Sequence, residues 1–147
     1  ISSGATDSAV KQAEILINDF GDSPYAVFAS LSLAKVRLDQ DDASGVQPRL
    51  RWAMENSSDP SLRQIARLRL ARMMLNDGDL DGASGVLAQA EDDHFRGEFA
   101  KLRGDLALAQ GDEAAAREAY LEAVDNGVSN LALVQMKLDD LAATAAP

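Results

Sequence analysis

Apolar positions along the chain recur three and four residues apart, and glycine, proline and aspartate cut this rhythm into helix-length pieces. Val10, Ala13, Ile15, Leu16 and Phe20 predict a helix from Asp7 that Gly21 stops. Pro24 suits a first helical turn and opens a segment to about Gln40, with Val27, Phe28, Leu31, Ala34 and Leu38 on one side. Asp42 leads into a segment ending near Asn56. Pro48 lies too deep for a helix begun at Asp42, so that helix either starts late, near Gln47, or kinks. Asp59-Pro60 reads as a cap followed by a first-turn proline for a long helix to Asn76, terminated at Gly78. Asp79 caps a helix to about Ala90, in which Gly82 and Gly85 each cost about 1 kcal/mol relative to Ala. Small residues there fit a closely approaching neighbour. Further helices run from Phe95 to Gln110, from Asp112 to Asn126, and from Val128 to Ala142 with Leu131, Val134, Leu138 and Leu141 in one stripe. No segment alternates as a strand does, so the class is all-α.

A repeat underlies the punctuation. With Ala34, Ala71 and Gly104 as origins, Asp42, Asp79 and Asp112 stand eight residues on, and Val46, Ala83 and Ala116 twelve on. Leu50, Leu87 and Tyr120 stand sixteen on, and Ala53, Ala90 and Ala123 nineteen on. Small residues on both helices of a hairpin let the backbones approach. The large apolar residue and the following alanine pack against the next pair, and each aspartate caps a helix start. A helix–turn–helix unit repeating at about 34 residues resembles the tetratricopeptide pattern. The copy LRGDLALAQGDEAAAREAYLEAV at 102–124 matches it best, and the copy holding Val46 and Pro48 is degenerate. The expected fold is a right-handed helical-hairpin solenoid of about three such repeats, one domain over 1–147. It comprises a disordered lead at 1–6, a half-repeat helix at 7–21, repeats at 24–57, 60–91 and 95–126, and a capping helix at 128–142.

Tetratricopeptide geometry places the first helix of each pair on the concave face. The residue after each origin then lines a groove: Lys35, Arg72 and Asp105, with Phe28, Leu31, Leu38, Leu68, Leu75, Lys101 and Leu108 beside them. Mixed apolar and charged lining suits an extended or helical polypeptide. Alternatively, the C-terminal helix folds back and fills part of that groove.

Composition narrows the chemistry. The 14 Lys and Arg against 24 Asp and Glu give a net charge of −10, which repels nucleic acid and anionic lipid. Cysteine is absent, which removes disulfides, thiolate metal sites and thiol nucleophiles. The longest charge-free stretch, Ser23 to Ala34, is too short to span a bilayer, and the start at Ile1 reads as a fragment or processed product. Six arginines (Arg49, Arg51, Arg63, Arg67, Arg69, Arg72) face only Glu55 and Asp59 within 24 positions. Two readings stand open: solvated helices pairing with nearby acids, or a basic patch for an acidic partner. Trp52, Met73 and Met74 read first as core.

Asp77, Asp79 and Asp81 followed by Gly82 mimic a calcium loop, but its twelfth position is Ala88 rather than glutamate, and the segment is already a helix stop and cap. His94, beside Glu91, Asp92 and Asp93, has no second histidine to complete a zinc set. No nucleophile elbow, P-loop or dinucleotide fingerprint occurs, so neither an enzyme nor a cofactor is expected.

The Ala-rich array, the helix carrying Arg67-Leu68-Arg69-Leu70-Ala71-Arg72, the segment at 102–124 and a terminal helix bearing Met136-Lys137-Leu138 together resemble one bacterial family. It is the YfgM-type ancillary subunit of the SecYEG translocon, and the likeness runs from about Asp7 to Ala142. The resemblance implies a short cytoplasmic tail, one membrane-spanning helix and a periplasmic repeat domain, of which this chain is the last part. It further implies the translocon and a periplasmic chaperone as partners, at the bacterial inner membrane. An adaptor in envelope assembly or cell-division coordination is the second reading, and a metal-responsive sensor or enzyme built on Asp77 and His94 the third.

Overall fold

The computed structural model describes residues 3–21, 23–39, 45–91 and 94–144. Among them the backbone forms eight α-helices and no strand: α1 (Ser3–Asp19), α2 (Pro24–Asp39), α3 (Val46–Asn56), α4 (Pro60–Asp77), α5 (Leu80–Leu87), α6 (Arg96–Ala109), α7 (Glu113–Asp125) and α8 (Leu131–Thr144). Two Gly-Asp joints show how the sequence dictates this. Gly78 and Gly111 adopt φ of 78° and 80°, the left-handed region that a side chain resists. The next amide then reaches back five residues: Asp79 N–H donates to the Met74 carbonyl and Asp112 N–H to that of Ala107, each at 2.9 Å. The same aspartates start the following helix, since their Oδ1 atoms accept from Gly82 and Ala115 N–H at 2.9 Å. One dipeptide thus ends one helix and begins its partner.

Elsewhere the boundaries shift for local reasons. Helix α1 begins at Ser3, inside the lead expected to be disordered; Gly4 and Thr6 lower helicity without blocking it, and Ala5 favours it. Pro48 falls in the first turn of α3, where its missing N–H has no helical acceptor to lose, so the late start is the one adopted. Asp42, the expected cap of that helix, lies outside the described residues. Helix α5 stops at Leu87 rather than near Ala90, and α8 starts after Asn130, whose carbonyl and Oδ1 accept from Val134 and Leu133 N–H. The close neighbour expected beside Gly82 and Gly85 is not what occupies their surroundings. A Cβ at Gly82 would strike the capping Asp79 carboxylate, and one at Gly85 would meet nothing within 4 Å.

The repeat register sorts core from surface. The small and large apolar residues at the origin, twelve, sixteen and nineteen on are all buried except Ala90, which lies beyond the end of α5. The chain divides into two compact units, Ile1–Leu70 and Ala71–Pro147, with the division inside α4. Repeat hairpins pack on their sequence neighbours and have no common centre, so a chain read as one domain separates in this way. In the first unit α1 packs on α2 and α2 on α3. Ser30 Oγ donates to the Arg49 carbonyl at 3.3 Å, and Arg49 reaches Glu14 at 3.1 Å. In the second unit α5 packs on α6, α6 on α7 and α7 on α8 around Tyr120, with Ala100, Ala107, Ala116, Ala123, Val134 and Leu141 in its cluster.

Candidate functional site

Expected groove residues in the first unit separate into core and surface. Leu31 and Leu68 are 5% and 8% exposed and belong to the core, which corrects their reading as groove lining. The reason is helical rotation: Leu31 shares a stripe with buried Val27 and Ala34, whereas Tyr25, Phe28, Ser32 and Lys35 lie on the exposed one. Phe28 is 59% exposed, and the side chain of Leu38 lies outside the described residues. The arginine-rich window mostly resolves into internal contacts. Arg63 donates to the Ser57 carbonyl, Arg69 to that of Leu31, and buried Arg67 to Gln64 Oε1. Trp52 is half-buried and Met74 buried.

The second unit brings four of the expected residues together. Arg72, Leu75, Lys101 and Asp105 line one cavity of about 320 Å³, with Asn76, Leu102, Ala109 and Lys137 completing the wall. Leu108 is exposed nearby on α6 but outside that lining. One carboxylate organises the cavity. Asp105 Oδ2 accepts from Lys101 Nζ at 2.6 Å, one turn earlier on α6. Its Oδ1 accepts from Lys137 Nζ at 2.6 Å and from the Tyr120 hydroxyl at 2.7 Å. Lys137 Nζ also lies 3.4 Å from the Tyr120 oxygen and 5.4 Å from the ring centroid, a cation–π distance. The C-terminal helix therefore supplies part of the wall through Lys137.

Tyr120 sits where the earlier repeats have Leu50 and Leu87. Its ring fits because the facing residue on α6 is Gly104, at which a Cβ would collide with the ring edge. A buried phenol needs a partner for its hydroxyl, and that requirement was the available sign that a polar group, here Asp105, stands opposite. Lys137 was not named for the groove: it lies 32 residues from Asp105, and periodicity places it only on the cap.

Burial works to raise the Asp105 carboxyl, but hydrogen bonds from Lys101, Lys137 and Tyr120 and the Lys101 charge outweigh it, leaving it below its ordinary value of 3.8. Burial, reinforced by the Asp105 hydrogen bond and charge, pushes the Tyr120 phenol well above its usual range. Glu122 follows the Asp105 pattern: burial opposes, and contacts with Arg96 and Arg103 prevail to lower it. A carboxyl depressed in the folded state contributes stability above its unfolded value and loses it as pH falls through the folded one. Stability should therefore decline below about pH 4. Asp105→Asn should lower the neutral-pH urea midpoint and flatten that acid limb. Urea titrations monitored by circular dichroism between about pH 2 and 7 check this; an unchanged limb would remove Asp105 from the account.

Asp79 commits its carboxylate to the α5 start, and His94 is an exposed turn residue whose neighbours Asp92 and Asp93 lie outside the described residues. Among the described residues no cluster of three or more His, Cys, Asp or Glu is placed to hold a metal ion.

Helices joined through Gly-Asp turns, with a small residue at the α6–α7 crossing, define a tetratricopeptide-like helical-repeat protein. The model of the tetratricopeptide repeat-like domain matches residues 1–143. The chain is 33% identical over 144 residues to a protein of Haemophilus influenzae named the ancillary SecYEG translocon subunit, covering 96% of this chain and 71% of that one. It is 33% identical over 118 residues to the protein of that name from Aggregatibacter actinomycetemcomitans, covering 80% of this chain and 58% of that one. The corresponding Escherichia coli protein is 29% identical over 119 residues, covering 80% and 58%. No solved structure matches the chain significantly. The chain belongs to the family of these ancillary subunits. It is a non-enzymatic scaffold.

Proposed function

We propose that this chain is the periplasmic interaction domain of a single-pass inner-membrane protein that associates with the Sec translocon and links export to periplasmic chaperones. The observation that carries the reading is the match to an ancillary translocon subunit over 96% of the chain. Fold and surface are compatible with it: repeat helices leave Tyr25 and Phe28 exposed in one unit and a cation-lined cavity open in the other. These are features suited to holding polypeptide rather than converting a small molecule. No helix among the described residues is long and apolar enough to cross a membrane, so in this reading the attachment belongs to another segment of the protein.

Affinity purification of the tagged full-length protein from detergent-solubilised membranes should retain translocon subunits, together with a periplasmic chaperone after mild crosslinking. Recovery only with cytosolic complexes would overturn the proposal. Recovery of the translocon without a chaperone would overturn its second half.

A further inference from the structure

The cavity between α4, α6 and α8 of the second unit carries an excess of positive charge. Its wall carries Arg72, Lys101 and Lys137 against the single carboxylate of Asp105, in a chain whose net charge is −10. Asp105 holds both ammonium groups at 2.6 Å and so fixes their positions, but it does not exhaust them. An ammonium has three donors. Lys101 uses one on Asp105, and Lys137 uses one on Asp105 and shares another with the Tyr120 hydroxyl. Among the described residues no hydrogen bond or ion pair engages Arg72, which is exposed at the cavity rim with a five-donor guanidinium. The remaining wall is largely apolar, from Leu75, Leu102 and Ala109.

We infer that this cavity receives an acidic side chain, glutamate or aspartate, of a bound polypeptide, with an apolar neighbour of that residue resting against Leu75. Resting on the polypeptide-binding reading above, the inference adds the chemistry that the groove selects. Charge complementarity identifies the occupant: one internal carboxylate shared by Lys101 and Lys137 leaves the wall at a net +2 with Arg72 uncommitted, and one further carboxylate would pair with Arg72 and halve that excess. Polyanions fit less well. Nucleic acid or an anionic membrane would bring many charges against an acidic surface, whereas one carboxylate flanked by apolar residues meets the positive site alone. Arg72 is the group that makes a two-pronged contact with it, because a planar guanidinium matches a carboxylate and is not already committed.

The test is fluorescence anisotropy with three labelled Ser-Leu peptides: one carrying two glutamates and an amidated C-terminus, its glutamine twin, also amidated, and that twin with a free C-terminal carboxylate. The glutamate peptide should bind the 147-residue chain roughly tenfold more tightly than its amidated twin, the size expected of a hydrogen-bonded charge contact. That advantage should shrink between about 50 and 500 mM NaCl. Arg72→Glu should abolish the preference and Arg72→Lys should keep most of it; both changes sit on an exposed helical position that leaves the core intact. Equal binding of the amidated pair, unaffected by Arg72→Glu, would overturn the inference and leave the polypeptide reading standing. Selective binding of the free-carboxylate twin would overturn it in favour of chain-end capture. Binding of none of the peptides would count against both.

Discussion

Tyr120→Ala should lower the unfolding free energy by about 3–5 kcal/mol, the usual cost of truncating a buried aromatic residue. Tyr120 is 0% exposed and sits at the centre of the second unit's core. Its ring covers Gly104 on α6 and clusters with Val134 and Leu141 of α8, so truncation opens a void that helices on both sides line. Partial collapse is resisted because the alanines around it, Ala100 and Ala107 on α6 and Ala116 and Ala123 on α7 itself, are too short to fill the space. Tyr120→Phe separates the ring from its hydroxyl. It loses the 2.7 Å bond to Asp105, yet that carboxylate keeps both lysines, so the cost should be only about 1 kcal/mol. Urea denaturation of the three proteins checks the order. Equal losses for Ala and Phe would mean that the hydroxyl, rather than the packed ring, holds the unit together.

Much of this architecture was legible in the order of residues. Small origin, capping aspartate, small residue, large apolar residue and alanine recur at fixed offsets because each hairpin solves the same packing problem. Those offsets therefore picked out the buried set. Helix ends were less legible, since propensity changes gradually: Ser3 joins α1, and α5 ends before Ala90, without a breaker at either point. Side-chain destinations were the least legible. The arginine-rich window is a count of charge, whereas Arg69 bonds the backbone carbonyl of Leu31, 38 residues away, which only the packed helices decide. The cavity shows the same division. Arg72 and Asp105 follow from repeat register, while Lys137 enters from α8, whose rotation about its axis no repeat position specifies.

Gly97→Ala should destabilise the protein by about 3 kcal/mol, at the upper end of ordinary overpacking, although alanine favours a helix by up to about 1 kcal/mol. Gly97 is buried in the first turn of α6, and a Cβ there would collide with the Gly127 carbonyl and approach the Ala123 oxygen to 3.1 Å. These obstacles are backbone. They cannot rotate aside as a flexible side chain would, so the joint between α7 and α8 must move. That movement would also strain the neighbouring bond in which Ser129 N–H donates to Glu98 at 2.7 Å. Gly85→Ala is the matched opposite. It places the same methyl group in mid-helix α5, where nothing lies within 4 Å, and should stabilise by up to about 1 kcal/mol through propensity alone. Two identical substitutions in one chain should thus shift the thermal midpoint in opposite directions. Shifts of the same sign would show that α6 and the end of α7 do not approach as closely as Gly97 allows.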